Sequence, residues 1–154
     1  LSATRYLTYD KERKLEPFVR GRIKLGTADE NKGLGTGEND VAAEIGLNKW
    51  TDKQRYYGAI GYEVVGDPPG VNYDNVFYGY GGMSFELTKD KHLGVDLYYT
   101  QASAPGFDDS LDLTGFVNYR YDRQRTIHVY LLAGLADGSP DWGGGVNLRY
   151  YFLK

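Results

Sequence analysis

At 154 residues the chain has the length of one domain, and it has no cysteine, so neither a disulfide framework nor a thiolate metal site is open to it. No run of about 18 apolar residues exists, which excludes a transmembrane helix, and a formal net charge of -3 without a basic stripe argues against a nucleic-acid partner. Twenty-one glycines and fifteen tyrosines point instead to curved strands and to side chains with an apolar ring and a polar tip, which suit a membrane interface.

No secretory leader is legible, so Leu1 reads as the start of a mature or truncated chain. Residues 1–15 read either as a lead-in or as a short strand, Arg5 to Tyr9, followed by the polar turn Asp10 to Lys14. From Pro17 the alternation is clear: Val19, Gly21, Ile23 and Leu25 face one way, Arg20, Arg22 and Lys24 the other. Period-two alternation is the signature of a strand with one apolar and one polar face. After a Gly-rich loop, Val41, Ala43, Ile45 and Leu47 alternate with Glu44 and Asn48, and Trp50 closes the strand. Tyr56 to Val64 repeats the pattern, with Glu63 on the polar side, and Pro68-Pro69-Gly70 then interrupts it.

Phe77 to Leu87 sets Tyr78, Tyr80, Ser84 and Glu86 inward; Leu93 to Tyr99 opposes Asp96 and Tyr98. Leu113 to Tyr119 opposes Asp112, Asn118 and Arg120, and Ile127 to Leu135 opposes His128 and Tyr130. The last strand, Gly143 to Phe152, puts Val146, Leu148, Tyr150 and Phe152 on one face, with Asn147, Arg149 and Tyr151 on the other. Its terminal aromatics, two residues apart, match an interfacial girdle.

Eight strands of about ten residues, the length that crosses a bilayer at a tilt, are joined alternately by short turns (near 49–54, 88–92 and 122–126) and long loops (near 28–40, 66–75, 102–110 and 136–141). Outer-membrane barrels alternate their connections in this way. The expected fold is all-β: an up-and-down antiparallel transmembrane β-barrel of eight strands, one outer-membrane domain over residues 1–154, with 1–15 a periplasmic lead-in or an extra strand. The alternative is ten or more strands with a missing N-terminal part.

The inward charges are expected to balance across the lumen: Arg20, Arg22, Lys24, Arg120 and Arg149 against Glu44, Glu63, Glu86, Asp96 and Asp112. Buried charges persist when paired, so the lumen should be plugged by ion pairs, Arg149 finding Glu44, Glu63 or Asp112. The long loops carry an acidic rim: Asp29, Glu30, Glu38, Asp40 and Asp67 in the first two, with Asp74, Asp108, Asp109, Asp137 and Asp141 completing it. Such a rim concentrates cations; solvation of the loops explains it better than a dedicated metal site, and no EF-hand spacing is present. His92 lies in a short turn and His128 at mid-barrel, while Ser103, Ser110 and Ser139 lie in outer loops, so no nucleophile–base pair is expected. The loop Gly33-Leu34-Gly35-Thr36-Gly37 leads into no helix and is no phosphate cradle. Neither catalytic residues, metal nor cofactor are expected.

Two stretches carry a resemblance. Gly33 to Val41 resembles the GxGTGxxDV loop-to-strand passage of bacterial outer-membrane β-barrel proteins grouped as transporters and linked by name to meta-pathway phenol degradation. Gly134 to Gly143 is similar to their final hairpin, which leads into a closing strand ending Tyr-x-Phe, here Tyr150-Tyr151-Phe152. The resemblance implies an outer-membrane barrel passing small organic solutes and supplies no catalytic residue. Members of that family are longer, with more strands, and Leu153-Lys154 extends past the usual terminal aromatic.

The residues thus favour a small channel or passive transporter in outer-membrane lipid, for small solutes or cations, small organic solutes being what the resemblance implies. The rival is a structural or adhesive barrel whose acidic outer loops bind a ligand; a lipid-modifying membrane enzyme ranks below both.

Overall fold

Alternating sequence becomes alternating structure in the computed structural model, which describes residues 1–28 and 36–152. The strands are β1 (Ser2–Tyr6), β2 (Leu15–Lys24), β3 (Asp40–Trp50), β4 (Gln54–Val64), β5 (Val76–Thr88), β6 (Lys91–Thr100), β7 (Ser110–Arg120), β8 (Arg125–Gly134) and β9 (Trp142–Tyr150). They form one antiparallel meander in chain order, and the described residues contain no helix.

Two expectations are corrected. The sheet has nine strands, not eight, because the Asp10–Lys14 turn folds the N-terminal residues back onto β2. There Asp10 Oδ1 accepts from the Glu12 and Arg13 amides, both at 3.0 Å, and Lys14 adopts a left-handed φ of 54°. The added strand is Ser2–Tyr6 rather than Arg5–Tyr9, in register Ser2↔Arg22 to Tyr6↔Phe18. It supplies partners to backbone groups that β2 would otherwise leave bare. The sheet is also not closed into a barrel: among the described residues β1 pairs only with β2 and β9 only with β8. Phe152 lies beyond the end of β9.

The two Pro-Gly turns follow their chemistry. Val71 N–H donates to Pro68 O and Phe107 N–H to Ala104 O, with Gly70 and Gly106 at φ 82° and 84°. Proline then glycine at the two central positions is the order of a type II turn.

The sheet curls around its polar face. Neighbouring strands lie about 4.8 Å apart, so β4 and β9 would be about 24 Å apart in a flat sheet, yet Arg55 and Arg149 line the same cavity. Burial is inverted relative to a water-soluble domain. Asn48 and Glu44 on the concave face are 1% and 8% exposed, whereas Ile60 and Leu131 on the convex face are 70% and 71% exposed. On the concave face four large rings lie across a glycine of a neighbouring strand: Phe18 over Gly46, Tyr78 over Gly61, Phe116 over Gly94 and Tyr130 over Gly145. A Cβ at any of the four would overlap the ring, so the glycines let bulky rings lie flat along a tightly curved wall.

Candidate functional site: the concave polar face

The face divides into two halves. Across β2 to β5 it is filled by a charged network. Arg20 pairs with Glu44 at 2.9 Å and donates to Thr4 Oγ1 at 2.9 Å. Tyr78 and Tyr80 donate their hydroxyls to the same carboxylate at 3.0 and 3.1 Å. Arg22 bridges β2 to β4 through Glu63 at 2.7 Å and lies 5.3 Å from the Tyr78 ring centre. Lys24 pairs with Asp40. Buried charges need such partners, and the alternation on β2 sets its three cations on one face, opposite the acids of β3 and β4.

Across β4 to β9 the face is hollow. Two cavities of about 380 and 360 Å³ share Arg55, Ser84, Asn118 and Arg149. Arg55 donates to Asn48 Oδ1 at 2.6 Å and lies 5.2 Å from the Tyr57 ring centre. Tyr57 donates to Asp96 at 3.3 Å. Phe116, His128 and Tyr130 form a row with ring centres 5.4 and 5.6 Å apart. A separate open hollow of about 710 Å³, bounded chiefly by Ile45, Leu47, Tyr56 and Ile60, is mostly apolar.

The structure thus brings together Arg20 with Glu44, Arg22 with Glu63, and Lys24 with Asp40. Among the described residues it gives Arg149 no ion-pair partner: Glu44 and Glu63 are held by β2, and Arg149 pairs with neither, nor with Asp112. Among the described residues Arg120 and Glu86 also lack an ion pair, although both line the 380 Å³ cavity with Arg149. Asp112 keeps one buried carboxylate oxygen without a hydrogen-bond partner.

Arg55, which falls between the expected turn near 49–54 and the expected strand Tyr56 to Val64, proves to belong to the concave face. The alternation Tyr57, Ala59, Gly61, extended back by two residues, would have found it.

The acidic rim is partly a set of loop braces. Asp40 is corrected: it is the first residue of β3, buried, and accepts from the Gly66 amide at 3.0 Å as well as pairing with Lys24. Asp67 accepts from the Tyr73 amide at 2.6 Å. Asp109 accepts from the Ala102 amide at 2.8 Å and the Tyr99 hydroxyl at 2.5 Å. Glu38, Asp74, Asp108, Asp137 and Asp141 stay near the same loops, and Asp29 and Glu30 lie outside the described residues. Hydrogen bonds lower three carboxyls below their usual range: Asp109 from Tyr99, Asp122 from Arg125 and Asp52 from Lys14. Among the described residues no three histidine or carboxylate side chains converge as metal ligands.

His128 shares a cavity with Ser84 and Asp96, but its Nδ1 is bonded to Asn118 Oδ1 at 2.9 Å, and among the described residues it has no hydrogen bond to a serine. A nucleophile and its base need that contact.

No protein-family model matches the chain, and no curated protein matches it either.

Proposed function

We propose that the protein works as an outer-membrane β-barrel-type passive transporter or channel for small solutes, its polar face half plugged by ion pairs. The observation that carries the reading is the reversal of the two faces: apolar side chains cover the exposed convex surface, and charges and tyrosines line the concave interior. A sheet that turns an apolar band outward and a polar face inward suits lipid outside and water inside. The resemblance of Gly33 to Val41 and of Gly134 to Gly143 to transporter-type outer-membrane barrels supports the same reading.

The β2–β5 network narrows the path, so the expected conductance is small. Planar-bilayer recording and liposome swelling test this: small unitary currents and slow entry of small solutes are expected. A protein that stays monodisperse without detergent and fails to enter lipid would overturn the membrane reading. One that inserts but neither conducts nor passes solutes would favour the structural or adhesive reading, in which the braced outer loops are the working surface.

A further inference from the structure

We propose that the short-turn end of the concave face is a binding site for small oxyanions, carboxylate or phosphate groups held by Arg55, Arg120 and Arg149. The three guanidiniums come from β4, β7 and β9 and line one cavity of about 380 Å³. Among the described residues none of them has a carboxylate within ion-pairing distance, unlike Arg20 and Arg22 on the same face. Arg55 is fixed by the neutral oxygen of Asn48, which orients the guanidinium and leaves its charge uncompensated. Lys53 adds a fourth cation to the lining.

Two carboxylates share the cavity. Asp52 is engaged by Lys14 at 2.8 Å. Glu86, opposite His92 in the β5–β6 register, is then the single acid left facing four cations. Planar guanidiniums match carboxylate and phosphate oxygens two at a time, and a cavity of this size takes a small anion. The acidic outer loops and this cationic pocket lie at opposite ends of the sheet. As a solute site the pocket rests on the transport reading; as a binding site it is tested apart from it.

Trp50 lines the cavity and Trp142 is the only other tryptophan, at the start of β9. In a Trp142→Phe background, titration of the detergent-solubilised or vesicle-inserted full chain with inorganic phosphate, and separately with succinate, should change Trp50 emission saturably. Arg149→Gln and Arg120→Gln should each weaken the response at least tenfold, Arg149→Lys less, and Arg123→Gln, in the adjoining turn, not at all. No saturable response, or a response unchanged in both glutamine variants, would overturn the proposal. Loss of strand circular dichroism in Arg149→Gln would leave Arg120→Gln and Arg149→Lys to decide. Intact binding without conductance would sink the transport reading and leave the site standing.

Discussion

Glu44 divides its two oxygens among Arg20, Tyr78 and Tyr80, and at 8% exposure it has little water to fall back on. Replacing it by glutamine keeps the volume but removes the countercharge. Breaking a buried pair costs about 3–5 kcal/mol. Because Arg20 is one-third exposed, Glu44→Gln should fall at or below the low end, read as a lower denaturation midpoint. Asp137→Asn, in an exposed loop, should leave the midpoint unchanged. Asp109 offers a pH test. Its folded pKa is lowered by the Tyr99 hydroxyl and the Ala102 amide. The order it confers on the β6–β7 loop is therefore full above the unfolded carboxyl value of about 3.9 and is lost as pH falls through the lower folded value. Protection of the Ala102 amide, its hydrogen exchange relative to the intrinsic rate at each pH, should hold down to about pH 4 and fall below it, and Asp109→Asn should be less protected throughout.

At the scale of the strands, the ring-over-glycine pairs make a directional prediction. A methyl at Gly46 would meet both the Phe18 ring and the Gly58 carbonyl oxygen, so Gly46→Ala should cost about 1–3 kcal/mol by overpacking. Gly21→Ala and Gly115→Ala, where a Cβ has open space, should be tolerated in the same thermal melts. The alternation made β2 to β9 legible to within about two residues, because their burial contrast is written into every second position. β1 was not legible in the same way: Ser2-Ala3-Thr4-Arg5-Tyr6 does not alternate apolar with polar, and its place comes from register alone. That register sets Arg5 in one row with Val19, Ile45 and Ile60, a cation at the margin of the apolar face. The charges of the concave face were legible by their side of the strand. Their pairing was not, since it depends on which distant strands the curl brings face to face, as Arg149 illustrates.

For the whole molecule, the absence of cysteine makes site-directed labelling clean. A fluorophore placed at Leu131 or Val146, both about 70% exposed on the convex face, should be quenched by brominated lipid in vesicles. One placed at Thr114, beside the inner cavity, should be spared. Equal quenching at all three positions would contradict a lipid-facing convex surface.

The unpaired edges carry a consequence of count. In a meander each strand reverses its predecessor, so with nine strands β1 and β9 run in the same direction. Edges left bare in hydrocarbon cost several kcal/mol per unsatisfied backbone group, so a membrane-inserted form must seal them. Joined directly, they would make the one parallel seam in an otherwise antiparallel wall, the rarer odd-stranded kind of barrel. Sealed antiparallel throughout, they would need an odd number of strands between them. A cysteine pair bridging β1 to β9 would distinguish the two arrangements, and with them whether nine strands or more make up the closed wall.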